Sequence, residues 1–202
     1  EYTGFEIVHG ADGATWKDPE KYNKHVELAK QQDLSVPRHQ FYLAQSLRAA
    51  GRLDEALVEY RKRAEMKDGW YQEAVYSQLM IGRIYEWWGE NEKALMELMK
   101  CYEMDSERTE ALCAILRLMK EMDMFKIGTK VGEELLKKKD VSSDKLFAEK
   151  IRWDTIHMDL GLCEYYTGNK QKAKEYWEKI LEMEEADERI VEQTKKNLEF
   201  VK

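Results

Sequence analysis

The sequence predicts an all-α fold, a right-handed solenoid of helix pairs with a short non-helical N-terminal segment, and three observations carry that expectation. A hydrophobic–small pair, a Gly seven residues after the small residue and an Ala five after the Gly recur three times: Leu43-Ala44, Gly51 and Ala56; Ile81-Gly82, Gly89 and Ala94; Leu160-Gly161, Gly168 and Ala173. Large residues, Tyr60, Leu98 and Trp177, stand four positions after each Ala. With 43% hydrophobic and 36% charged residues over 202 positions, the chain can bury a continuous core while exposing a heavily charged surface, as thin two-layer arrays do.

The spacing resembles that of the tetratricopeptide repeat. Its physical basis is an antiparallel pair of helices, A and B, in which a small residue on each lets the backbones approach closely. The Gly ends helix A in a left-handed conformation that costs it nothing. The large residues are expected to fill the space between neighbouring repeats. Each pair is incomplete alone, and stacking about three or more units supplies the stability.

Taken in order, residues 1–17 are assigned to the remnant of, or linker from, an upstream domain, and residues 18–202 to the repeat domain with a C-terminal capping helix. Phe5-Glu6-Ile7-Val8-His9 alternates like a strand, and Gly10-Ala11-Asp12-Gly13 reads as a turn. A helix is predicted from Asp18, its cap, and Pro19, its first residue, to about Gln32, with Tyr22, Val26, Leu28 and Ala29 facing the first repeat. Pro37 opens that repeat. Gly51 to Gly89 spans 38 residues, so the link through Lys67-Asp68-Gly69-Trp70 exceeds the usual ~34-residue period. Gly89 to Asp123 is 34, which puts Asp123 in the Gly position of a degenerate third repeat, with Ile115-Leu116 as its pair and Gly128 in the Ala position. From Asp123 to Gly168 is 45, which implies an insertion or extended helices near 136–143 and makes that stretch the expected flexible joint. Asp187 is placed to cap a last helix whose apolar stripe is Ile190, Val191, Thr194, Leu198 and Val201.

Composition narrows the function classes. A net charge of −7 and a pI near 5.3 argue against a general nucleic-acid or anionic-membrane binder. Cys101, Cys113 and Cys163 form no Cys-x-x-Cys spacing and read as small packing residues in a reducing compartment, which implies a cytoplasmic location. No apolar run is long enough for a membrane span. The start at Glu1, without an initiating Met, reads as a fragment whose catalytic residues lie upstream.

A more specific resemblance rests on Pro37-Arg38-His39-Gln40-Phe41-Tyr42-Leu43-Ala44-Gln45-Ser46-Leu47-Arg48-Ala49-Ala50-Gly51, on Ile81-Gly82-Arg83-Ile84-Tyr85, on Tyr165-Tyr166-Thr167-Gly168-Asn169 and on Lys196-Asn197-Leu198-Glu199-Phe200. From about Ile7 to the C-terminus the chain resembles the helical domain that follows the catalytic domain in certain family 2 glycosyltransferases of bacteria and large viruses. The resemblance implies an upstream Rossmann-like domain that binds a nucleotide-sugar and a divalent metal through an Asp-x-Asp motif, with Glu6-Ile7-Val8-His9 as its last strand. This chain has no Asp-x-Asp, and it carries Asp12-Gly13-Ala14-Thr15 where the family continues Asp-Gly-Gly-Arg. His9 is a candidate metal-contacting or active-site residue only within such a complete domain; otherwise it is a polar residue at a strand end.

Within these residues no catalytic constellation is expected. His25, His39 and His157 lack a His partner at i,i+4 and read as structural, and Glu133-Glu134 and Glu184-Glu185 read as solvated faces. No phosphate-binding loop, nucleophile elbow or Cys/His dyad occurs, so no cofactor or metal is expected in this chain. The candidate surface is the concave groove formed by helix A positions, with Arg38, Phe41, Gln45, Arg48, Arg83, Trp87, Arg117, Lys120 and Tyr166 as its binding residues. Cations beside aromatic rings suit a protein segment, an acidic peptide or a glycan acceptor. The competing expectation is pairing within a helix, Arg83 with Glu86 and Arg117 with Glu121. Two functions therefore stay open: an accessory domain that positions a glycosyltransferase catalytic domain or its acceptor, and a stand-alone scaffold that binds a partner protein.

Overall fold

The structure, a computed structural model, describes residues 20–138 and 145–201. Among these every regular element is a helix: α1 (Lys21–Lys30), α2 (Pro37–Ala49), α3 (Leu53–Glu65), α4 (Tyr71–Trp87), α5 (Asn91–Met104), α6 (Thr109–Glu121), α7 (Phe125–Leu135), α8 (Trp153–Tyr166), α9 (Lys170–Leu181) and α10 (Glu188–Glu199). The chain divides into two compact units, Glu1–Gly69 and Trp70–Lys202. The boundary falls in the link that the 38-residue interval marks as long. The first unit holds the pair α2/α3 preceded by α1, and the second holds α4/α5, α6/α7 and α8/α9 followed by α10.

Each pair closes through the same turn. Gly51, Gly89 and Gly168 have φ of 73°, 73° and 91°, and Asp123 has φ of 57°. In all four the next amide reaches back five residues: Arg52 to the Leu47 carbonyl, Glu90 to Tyr85, Met124 to Met119 and Asn169 to Glu164, at 2.8–2.9 Å. This is the bond that satisfies the last carbonyls of helix A. The third repeat therefore keeps the turn without the glycine, because Asp is among the few side chains that tolerate the left-handed region.

Packing adds to one expectation. Leu98 and Trp177 press on the small residue of their own pair, a contact the expectation did not include, and Trp177 also lies in a cluster against which Ile190, Val191 and Leu198 of α10 pack. A Cβ built on Gly82 would lie 2.6 Å from Leu98 Cγ, and one on Gly161 would enter the Trp177 indole. In the third pair the sizes are exchanged, with Leu116 at the small position of α6 and Gly132 at the large position of α7. The room at Gly132 admits Leu160 of α8, whose Cγ would be 2.5 Å from a Cβ there. Pairs two and four thus close on themselves, whereas pair three receives a side chain from pair four. A buried glutamine adds a repeat-equivalent contact: Gln40 donates to the Glu59 carbonyl at 3.1 Å, and Gln78 to the Glu97 carbonyl at 3.0 Å.

The ends follow the predicted pattern in part. Val26 and Ala29 of α1 are buried, but Tyr22 and Leu28 are exposed, so the apolar face of that helix is narrower than expected. Asp18, Pro19, the 1–17 segment and most of the 136–143 joint lie outside the described residues. Asp187 caps α10, its carboxylate accepting from the Arg189 amide at 2.9 Å. Asp154, in the first turn of α8, accepts from Arg152 Nη2 at 2.8 Å and from the Asp187 amide at 3.0 Å, which ties α10 to α8.

Candidate functional site

The site builds on the helix A face of the second unit. Arg83 on α4, Arg108 just before α6, and Glu110, Arg117 and Lys120 on α6 all contribute. Between α7 and α8, residues 145–152 lack helical structure and reach these helices. Ile151 explains why: it is 5% exposed in a cluster with Leu112, Leu116, Ile156 and Leu160, so burial of one apolar side chain anchors the segment to the core. Arg83, Glu110, Cys113, Arg117, Glu149 and Arg152 border a cavity of about 210 Å³.

Arg83 forms a two-pronged pair with Glu149 at 2.8 and 2.7 Å. Burial lowers the affinity of Arg83 for its proton, but the bonds and charge of Glu149 outweigh that effect and raise it. Burial pushes the Cys113 thiol up to about 12, so at neutral pH the thiol is protonated. Arg83 Nε, Thr109 Oγ1 and Glu110 Oε2 are buried with no hydrogen-bond partner among the described residues. Buried polar atoms are otherwise satisfied in native proteins. The arrangement leaves donors and an acceptor unsatisfied beside the cavity.

The nine predicted residues divide between the units. In the first, Phe41 is 2% exposed and belongs to the core, because its position on α2 faces inward. Arg48 donates to Gln45 at 3.2 Å, and Arg38 is exposed. In the second, Arg117 and Lys120 each bridge to another repeat: Arg117 Nε donates to Glu86 of α4 at 2.7 Å, and Lys120 Nζ to Asp159 of α8 at 2.6 Å. Trp87 is exposed, and Tyr166 is exposed while stacking on Phe125 with centroids 4.6 Å apart. The pairings thus leave the helix that carries each arginine: Arg83 takes Glu149 where helix spacing suggested Glu86, and Arg117 takes Glu86 of α4 where it suggested Glu121. Sequence reasoning missed Arg108, which is fully buried, and Glu149; nothing in a linear pattern marks either, since both depend on how 145–152 folds back. His9 lies outside the described residues. Among those described, no cluster of metal-ligating side chains occurs, and no helix is long and apolar enough to cross a membrane.

Comparison with known proteins agrees with this geometry. The sequence model of the tetratricopeptide repeat family matches residues 75–108. The fold is all-α and tetratricopeptide-like. Among solved structures, YrrB, described as a tetratricopeptide protein with an unusual peptide-binding site, is similar with a TM-score of 0.62 at 17% identity over 88% of this chain and 81% of that one. BtubC (BKLC) from P. vanneervenii is similar with a TM-score of 0.66 at 17% identity over 94% and 84%. A tetratricopeptide repeat protein from Parabacteroides merdae gives 0.62 at 18% identity over 91% of this chain and 65% of that one. No curated protein sequence gives a significant match.

Proposed function

We propose that the chain is an interaction scaffold that holds an extended acidic segment of a partner protein on the helix A face of its second unit. The supporting observation is the set of buried atoms without partners, Arg83 Nε, Thr109 Oγ1 and Glu110 Oε2, beside the cations of α4 and α6. Together they offer charge to a carboxylate and hydrogen bonds to a peptide backbone. The peptide-binding site named for YrrB accords with it. Selection of a random peptide display library against the pure protein tests the proposal. Acidic peptides should be enriched, should bind more weakly as salt rises, and should be lost on Arg83→Glu. Enrichment indifferent to both salt and Arg83 would refute it.

A narrower reading rests on the resemblance of 37–51 and 165–169: the scaffold is the accessory domain of a cytoplasmic family 2 glycosyltransferase. An upstream domain then supplies the nucleotide-sugar and divalent metal sites, this chain supplies no cofactor, and exposed Trp87 and Tyr166 offer rings to a glycan acceptor. The coding sequence ahead of Glu1 decides it: a domain with an acidic metal motif supports the reading, and an unrelated one removes it.

A further inference from the structure

The helix A face of the second unit already carries a short peptide segment of this chain, a turn closed by the Ala148 amide on the Lys145 carbonyl at 3.3 Å and leading to Glu149. At the ends of the segment, Lys145 Nζ donates to Asp105 Oδ2 at 2.6 Å, both side chains largely buried, and the Glu149 amide donates to Glu110 Oε1 at 3.3 Å. Arg108 Nη2 donates to the Leu146 carbonyl at 2.7 Å. The Phe147 ring meets Tyr76 edge to face, with centroids 5.1 Å apart. Two residues on, Glu149 takes the Arg83 fork through both oxygens. A main-chain acceptor, an aromatic ring and a carboxylate are the features by which such a face recognises a ligand.

The fit is incomplete. Phe147 has φ of 50°, a left-handed conformation that is an outlier for a bulky residue. Its side chain stays 57% exposed, and that of Glu149 51%. Arg83 Nε, Arg108 Nε, Thr109 Oγ1 and Glu110 Oε2, in or beside the helices that the segment crosses, remain buried without partners. A contact needed for the fold would satisfy them. An occupant with relaxed backbone and better-placed polar groups would fit the same face more fully.

We propose that residues 145–149 are a built-in competitor for this face, and that the partner they compete with presents a segment with an aromatic residue followed, two positions on, by Asp or Glu. The inference rests on the scaffold reading above and adds the motif of the ligand and the self-occlusion of its site. Covalent attachment gives the competitor a high effective concentration, so an external peptide sees only the open fraction of the protein. Ile151 stays in the core cluster, which lets 145–149 leave without opening it.

The test uses a fluorescent peptide of the sequence of residues 145–150, blocked at both ends and titrated by anisotropy. Against Phe147→Ala/Glu149→Ala it should bind at least about 10-fold more tightly than against wild type, because the competitor no longer holds the site. Arg83→Glu in that background should abolish the gain, and so should Ala in place of the peptide's aromatic residue. The near-isosteric Glu149→Gln should raise affinity about 3-fold on the same argument, and it carries the test if the double variant does not fold. Equal affinities for wild type and both released variants, or no binding to any of them, would overturn the proposal. If display-selected peptides still bind through Arg83 in that case, self-occlusion falls and the scaffold stands; if they do not, both fall.

Discussion

The helix pair α4/α5 and the segment 145–149 both meet α4, yet different physics holds them there. In the pair, Gly82 admits Leu98, which is fully buried, and Gln78 reaches the Glu97 carbonyl at 3.0 Å and its carboxylate at 2.8 Å. Polar groups are matched and apolar ones sealed. In the segment the contacts are two ion pairs, Lys145 with Asp105 and Glu149 with Arg83, an edge-on ring and hydrogen bonds at the Leu146 carbonyl and the Glu149 amide, with Phe147 and Glu149 half exposed and orphaned atoms on the helices beside them. Close packing contributes stability that nothing else replaces, whereas partly exposed ion pairs contribute little. The pair makes the scaffold, and the segment is one occupant of it.

Substitutions at two levels sharpen that contrast. The largest effect is expected from Gly82→Leu, which overpacks the contact with Leu98 and should cost about 3 kcal/mol in urea unfolding. An intermediate effect belongs to Asp154, which holds a structural contact through polar atoms. Burial alone would raise its pKa, but its bonds to Arg152 and to the Asp187 and Thr155 amides bring it down to about 2. Asp154→Ala should cost about 2 kcal/mol. Because the folded carboxyl titrates below the ordinary aspartate range, its contribution is present above that range and is lost as pH falls toward 2. The wild type should therefore lose stability relative to Asp154→Ala over that acid window and match its own neutral value above it. A wild-type advantage unchanged down to pH 2 would contradict the assignment.

Much of the repeat register was legible in the sequence because it rests on local chemistry: a left-handed turn needs Gly or Asp, and a close helix contact needs a small residue. Asp123 shows this, since spacing alone placed it in the turn that its φ confirms. The exchange of sizes between Leu116 and Gly132 was not legible, because it becomes meaningful only when Leu160 arrives from another pair. The candidate site was legible only as far as helix positions. Spacing on α4 and α6 selected Arg83, Arg117 and Lys120, but it offered Glu86 and Glu121 as partners where the fold supplies Glu149, Glu86 and Asp159. The 45-residue interval announced extra chain; where that chain lies depends on Ile151 finding the core.

The central claim is that residues 145–149 occupy a ligand's place without being needed for the fold, and native-state hydrogen exchange tests it most directly. The Glu149 amide donates to Glu110 Oε1 at 3.3 Å, so its protection reports whether the segment is docked. The account predicts that this amide exchanges by local opening, at least about 100-fold less protected than amides in the interior of α4. Protection of Glu149 equal to that of the α4 interior would mean that the segment leaves only when the unit unfolds, and would contradict the claim.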